Sequence, residues 1–174
     1  MKNPIKILQE EHKILLSAVT LGFEIQKVKD EEEYRHLVND FILFIRNYSE
    51  IYHFPKEEDI FYPLLRDRSK SMDAEFMHEI CDNHQDFKSF VAEIENHFAN
   101  YDYDRLRTTM DKYLREMFDH MNRENRIILA AAGVLFTEQE LNKLYDDFVD
   151  YDEHHGEKIN LEKDFYKISH QILN

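Results

Sequence analysis

The string His53-Phe54-Pro55-Lys56-Glu57-Glu58-Asp59-Ile60 has a counterpart in His120-Met121-Asn122-Arg123-Glu124-Asn125-Arg126-Ile127. Both read His, apolar, any residue, basic, Glu, polar, charged, Ile. On a helix, residues four apart lie on one face with Cβ atoms roughly 5–6 Å apart. An imidazole and a carboxylate at that spacing can grip one cation, or two neighbouring ones. A single His-x-x-x-Glu says little in a chain with 10 His and 36 acidic residues. Two with matching flanks look like an internal duplication. They require two helices that turn the same donor pair towards one interior.

The rest of the chain is compatible with that demand. Only 3 Gly and 3 Pro in 174 residues leave little room for the turns of an all-β fold, and helix formers dominate. The length suits one domain, 1–174, with a sizeable core. Asn3 followed by Pro4 opens a first helix, expected to reach Val28, with Ile5, Leu8, His12, Leu15, Leu16, Val19 and Phe23 at helical spacing. A second helix starts near Asp30, where Asp30 and Glu33 form a capping-box-like pair. Its stripe Leu37, Phe41, Phe44, Ile45, Tyr48, Tyr52 leads to His53 and Glu57. Pro55, and in the same way Pro63, is expected to bend that helix or remove a backbone bond.

After a turn over 66–71, a third helix places Phe76, Ile80, His84, Phe87, Val91, Ile94 and Phe98 inward. Asn100-Tyr101-Asp102 is the next turn. The fourth helix buries Leu106, Met110, Tyr113, Met117, His120, Glu124, Ile127 and Ile128, and is expected to end at Gly133 as a C-terminal cap. Thr137-Glu138-Gln139-Glu140 is a capping box opening a fifth helix to about Asp152. The polar stretch 153–156 then breaks it before a last helical segment ending near Leu173. The expected fold is therefore all-α: an antiparallel up-down four-helix bundle over about 4–133, with an additional C-terminal helical segment over about 137–173.

Counting along such a bundle tests whether the histidines meet. His12 and His53 lie about 18 and about 23 residues from the first turn, a mismatch of roughly 7 Å at ~1.5 Å per residue. His53 and His84 each lie about 15 residues from the second turn. His84 and His120 lie about 17 and about 19 from the third. All four then sit at one level, each on an apolar stripe. A lone inward His is more often a hydrogen-bonded core residue. A buried Glu57 or Glu124 is harder to accommodate, because an unpaired buried carboxylate is costly. Lys56 and Arg123 are the alternative partners, but adjacent positions do not share a helix face.

His12, His53, Glu57, His84, His120 and Glu124 are thus the candidate metal ligands. Imidazole and carboxylate without thiolate suit Fe, Mn or Zn rather than Cu(I) or an iron–sulfur cluster. A structural zinc wants four ligands. A doubled half-site suits two ions bridged by Glu57 and Glu124, commonly iron or manganese in four-helix bundles. Lesser candidates are Glu58 as an alternative ligand or supporting group, Asp119 as a partner for a ligand imidazole, and Tyr48 and Tyr52 as hydrogen-bond donors near the ions. His154 and His155 read as surface residues, and His36, His78, His97 and His170 as structural ones.

The net charge of −14 disfavours nucleic acid and anionic membranes as partners. No stretch approaches the ~18 apolar residues of a membrane span, the start is too charged for a secretory signal, and the single Cys81 excludes an internal disulfide. A cytoplasmic protein is the expectation.

The order His12, His53-x-x-x-Glu57, His84, His120-x-x-x-Glu124, with the strings HFPKEEDIFYP and HMNRENRIIL, resembles the hemerythrin-like, HHE cation-binding family over roughly residues 4–150. That resemblance implies an antiparallel four-helix bundle and a non-haem di-iron centre handling dioxygen, nitric oxide or peroxide. Oxygen-carrying hemerythrins supply two histidines four apart on the third helix and end with His-x-x-x-x-Asp. Here the positions four from His84 are Ile80 and Lys88, and Glu124 stands one position closer than that Asp. The pattern is more similar to the repair-of-iron-centres proteins. The implied function is a di-iron protein of stress response that reacts with nitric oxide, peroxide or dioxygen or supplies iron. A metal-dependent sensor or iron-storage module, a reversible dioxygen carrier and a purely structural bundle are the alternatives.

Overall fold

The computed structural model describes residues 3–68 and 74–155, with 163, 165, 166, 169 and 170; for residues 74–82 it describes the helix and not the side chains. Among the described residues the chain is all-helical, with no strand, and forms five helices: α1 (Pro4–Ile25), α2 (31–68), α3 (Ala74–Ala99), α4 (103–135) and α5 (Glu138–His154). Of the helical segment expected to end near Leu173, residues 163, 165, 166, 169 and 170 are described and helical; its end, the inward placement of Phe76 and Ile80, the end of the turn at 66–71, and the side chains of His78 and Cys81 lie outside the described residues. No helix among the described residues is long and apolar enough to cross a membrane.

The capping signals act where they were read. Asn3 Oδ1 accepts from Lys6 N–H, with Pro4 at the first helical position. Asp30 Oδ1 accepts from Glu33 N–H. Thr137 and Glu140 form the full reciprocal capping box. In the turn 100–102, Tyr101 takes the left-handed conformation with φ 56° and Asp102 caps α4. The first helix ends at Ile25, short of Val28, because the chain tightens there into i→i−3 turns.

Two features differ from regular helices. In α2 the backbone is π-helical over Arg46–His53 and again over Lys56–Phe61, on either side of Pro55; in α4 it is π-helical over Glu124–Ile128. Both His-x-x-x-Glu strings therefore sit at widened turns, a distortion often found at functional sites. Pro55 has no N–H to offer Ile51 O, and Ile51 O accepts from the Tyr151 hydroxyl of α5 at 3.2 Å instead. The widened turn after Glu124 leaves Ile127 exposed, while Ile128 stays inward as expected.

Gly133 does not end α4. The helix runs through it to Leu135, and Gly133 has ordinary negative φ, is exposed, and has open space around its missing Cβ. Tertiary packing of Leu129 and Ala132 holds this turn despite the poor propensity of Gly. Gly133→Ala is expected to raise stability by about 0.5–1 kcal/mol, read as a shift in the urea midpoint at constant slope.

The helices pack around two apolar clusters. One includes Leu15, Val19, Phe41, Tyr48, Tyr52, Phe54, Phe87, Tyr113, Met117 and Met121. The other includes Leu8, Phe61, Tyr62, Leu65, Ile128 and Leu129, and is closed by Leu144 and Phe148 of α5. His12 stands between Leu8 and Leu15, and Glu57 between Phe54 and Phe61. His120 and Glu124 stand between Met117 and Ile128. The polar residues thus form a layer between two apolar ones, which keeps water from both sides.

Candidate metal centre

Helix α1 contributes His12 to this layer, α2 His53 and Glu57, α3 His84, and α4 His120 and Glu124. All six are buried, none more than 3% exposed. His12 Nε2 lies 3.2 Å from Glu57 Oε1 and 3.4 Å from Glu124 Oε2. His53 Nε2 and His84 Nε2 each lie 3.5 Å from Glu57 Oε2. On the other side, His120 Nε2 is 3.4 Å from Glu124 Oε2 and 3.1 Å from His84 Nε2. The structure therefore brings together all six candidates picked from the sequence, from four separate helices.

Two donor groups emerge within this layer. His12, His53, Glu57 and Glu124 each offer one atom within 4.8 Å of the others, and so do His84, His120 and Glu124. Either set could hold a metal ion, and Glu124 belongs to both.

The outer faces of three of the four rings explain why their Nε2 atoms point inward. His53 Nδ1–H donates to Glu11 Oε2 at 2.9 Å, His84 Nδ1–H to Glu58 Oε1 at 2.8 Å, and His12 Nδ1–H to Asn125 Oδ1 at 3.0 Å. A carboxylate or amide oxygen on Nδ1–H fixes the ring and the tautomer, and leaves the Nε2 lone pair for a cation. With His84 so fixed, its short contact to His120 requires His120 Nε2–H to donate. Phe54 stacks on His84 at 3.9 Å between ring centroids, and Phe87 meets His120 edge-on at 5.2 Å.

Desolvation dominates the protonation of the site. Burial, reinforced by the nearby Glu11 charge, raises the Glu57 carboxyl well above its usual range. Burial and Glu57 push Glu124 up to about 8. Burial brings His53 down to about 4, and lowers His84 and, more strongly, His120. Burial thus disfavours the charged forms of His53, His84, His120, Glu57 and Glu124 in the cation-free site, and Glu57 Oε1 lies 3.2 Å from His12 Nε2. Such a site exchanges protons for cations on binding.

The residues present fit a bound cation. His53 Nε2 and Glu124 Oε2 are buried and make no hydrogen bond. Orphaned buried acceptors are rare and need an explanation, and these two belong to one donor group. Tyr62 O–H approaches both carboxylates, Glu57 Oε2 at 3.3 Å and, very closely, Glu124 Oε1.

Set against known families, residues 3–132 match the hemerythrin HHE cation binding domain. The chain belongs to this family. No curated protein and no solved structure matches it. The matched segment of this hemerythrin-family chain contains all six clustered residues and ends before α5.

The lesser candidates divide. Glu58 supports His84 through Nδ1 and points away from the donor groups; the hydrogen bond from His84 lowers its carboxyl. Asp119 is exposed, and His120 Nδ1 makes no hydrogen bond. Tyr52 hydrogen-bonds Glu11, not a clustered donor, and Tyr48 packs in the core. His36, His154, His155 and His170 are exposed, and His97 is half-buried.

Sequence reasoning missed Glu11, Asn125, Tyr62 and the burial of Lys56. Glu11 follows another acid and reads as solvated surface. Lys56 does avoid Glu57, as the helix-face argument requires, but it is wholly buried against Glu11 and Asp152. The available signal was spacing: Tyr52 and Lys56 lie four apart, as do Phe148 and Asp152.

Proposed function

We propose that this hemerythrin-family protein is a non-haem di-iron protein of stress response, reacting with nitric oxide, peroxide or dioxygen, or supplying iron. His12, His53, Glu57 and Glu124 would hold one ion, and His84, His120 and Glu124 the other. The single observation that carries this is the pair of buried donor groups sharing Glu124. Thiolate-free nitrogen and oxygen donors suit iron, with manganese or zinc also possible. Iron held there supplies a change of oxidation state and a position for a small ligand.

The protein's own residues do the rest. Glu57 and Glu124 neutralise the cations, while Glu11, Glu58 and Asn125 orient the imidazoles. Tyr62 O–H holds both carboxylates from one side, and Phe54 and Phe87 exclude water. In this reading the whole chain 1–174 is one cytoplasmic domain, an up-down antiparallel bundle with a C-terminal helical segment. It is closer to repair-of-iron-centres proteins than to oxygen carriers, because Lys88, four after His84, faces Glu58 at 3.6 Å and offers no second imidazole. A sensor or iron-storage module is the second reading, favoured by the contact of α5 with the site's surroundings. Reversible dioxygen carriage fits this donor set least.

Metal analysis of the as-purified protein, with visible spectra before and after nitric oxide and oxygen, tests the proposal. Two irons per chain and a spectrum that responds to both gases are expected. Stoichiometric zinc with no redox response overturns it.

A further inference from the structure

A buried ionic cluster joins the candidate metal centre to α5, which lies beyond the family-matched segment. Lys56 Nζ donates to Glu11 Oε1 at 2.6 Å, to Asp152 Oδ1 at 2.6 Å and to Tyr52 OH at 2.7 Å. These three bonds use its three N–H groups. Tyr52 O–H reaches the same two acids, Asp152 Oδ1 at 2.7 Å and Glu11 Oε1 at 3.0 Å. Glu11 and Lys56 are wholly buried, and the Asp152 side chain is 26% exposed. The Glu11 carboxylate is the joint: one oxygen takes Lys56, and the other takes His53 Nδ1–H at 2.9 Å.

We propose that Asp152 is a positioning residue for the His12/His53 cation position, acting through Lys56 and Glu11 on His53, so that cation binding and the seating of α5 are coupled. The inference rests on the metal reading above and extends it to a helix outside the family-matched segment. With Asp152 in place, the ammonium is shared between two carboxylates, and Glu11 keeps charge density for His53. Without it, Lys56 draws on Glu11 alone, and Glu11 becomes a weaker acceptor and a looser guide for the ring. Partners behind a ligand imidazole typically govern affinity about 10–100-fold; one step further out, the low end applies. Linkage makes the effect reciprocal: whatever α5 does for the cation, the cation does for α5. The second position has no such connection, since His84 is held by Glu58 and His120 Nδ1 makes no hydrogen bond.

The test uses the full chain, titrated anaerobically with cobalt(II) and followed by visible absorption, with hydrogen exchange over residues 138–155. In the native chain two binding steps are expected, and cobalt should slow exchange in α5. Asp152→Asn should weaken the step that fills the His12/His53 position about tenfold, leave the other within about twofold, and abolish the added protection. Asp152→Glu should restore most of the affinity. The Glu11→Gln/Asp152→Asn double variant should bind no worse than Glu11→Gln alone, because both act along one route. Equal weakening of both steps, additive effects, or α5 exchange indifferent to cobalt overturns the inference while two-ion binding leaves the metal reading standing. A native chain that takes up no cobalt overturns both.

Discussion

Replacing Glu124 with glutamine is expected to abolish tight binding of both cations while making the cation-free protein more stable. Among the described residues Glu124 alone is common to the two donor groups, so its charge would serve two ions at once. Glutamine has nearly the same shape and keeps an oxygen for the Tyr62 hydroxyl, which now donates to Glu124 Oε1. What it removes is the anion. Losing a ligand shared by both positions should exceed the roughly 10–100-fold cost of losing an outer partner. Without a cation the balance reverses. Burial and Glu57 push the Glu124 carboxyl up to about 8 from 4.5, so folding at alkaline pH keeps an acid where solvent does not favour it. Neutral replacements of buried ionic groups are often stabilising, by on the order of 1–4 kcal/mol. Calorimetric cation titration and thermal unfolding in chelator just above pH 8 read the two effects separately. A Gln variant that still binds two ions tightly, or that melts lower than the parent in chelator, contradicts the shared-donor arrangement.

The six clustered residues were legible because two simple regularities locate them. Helical spacing puts His12, His84 and His120 on apolar stripes, and counting from the turns at a fixed rise per residue puts them level. Neither step depends on the details of the backbone. Glu11 and Lys56 escaped because each lies beside a stripe rather than on it, and a charged residue there normally faces water. They are buried because α5 folds over them, bringing Phe148 and Asp152. That cover is a tertiary fact, and no local pattern in the first two helices announces it.

The widened turns were also invisible to pattern reading. Pro55 marked one distorted place, but no residue type signals an extra residue per turn at Glu124–Ile128. The consequence is visible in Ile127, which a regular helix would bury and which is 46% exposed. Gly133 misled in the opposite sense. Its type suggests a cap, but the chain needs no left-handed residue there, because α4 stops only where Thr137 caps α5.

Removing the cations is expected to lower the melting temperature by about 8–16 °C and to give the protein a pH dependence that the loaded form lacks. A ligand at about 1,000 times its dissociation constant stabilises by about 4 kcal/mol, and each kcal/mol moves the transition of a chain this size by about 2–4 °C. The pH effect follows from proton counting. Glu124 rises from 4.5 to about 8 on folding, so between those values the folded state holds a proton that the unfolded state has released. Each such proton makes stability fall by about 1.4 kcal/mol per pH unit as pH rises, and Glu57, shifted in the same direction, adds to the fall. His53 acts oppositely, falling from 6.5 to about 4, so there the unfolded state holds the extra proton and stability rises with pH. Above 6.5 that opposing contribution is spent, and His84 and His120, also lowered from 6.5, are spent with it. The cation-free protein should therefore melt progressively lower as pH rises from 6.5 to about 8. Bound cations hold the same carboxylates ionised, so the folded state no longer carries the extra protons and the slope disappears. Melting curves in chelator and in excess iron across that interval check both halves. A chelated protein that gains stability towards pH 8 would mean that Glu57 and Glu124 are already charged without a cation to balance them.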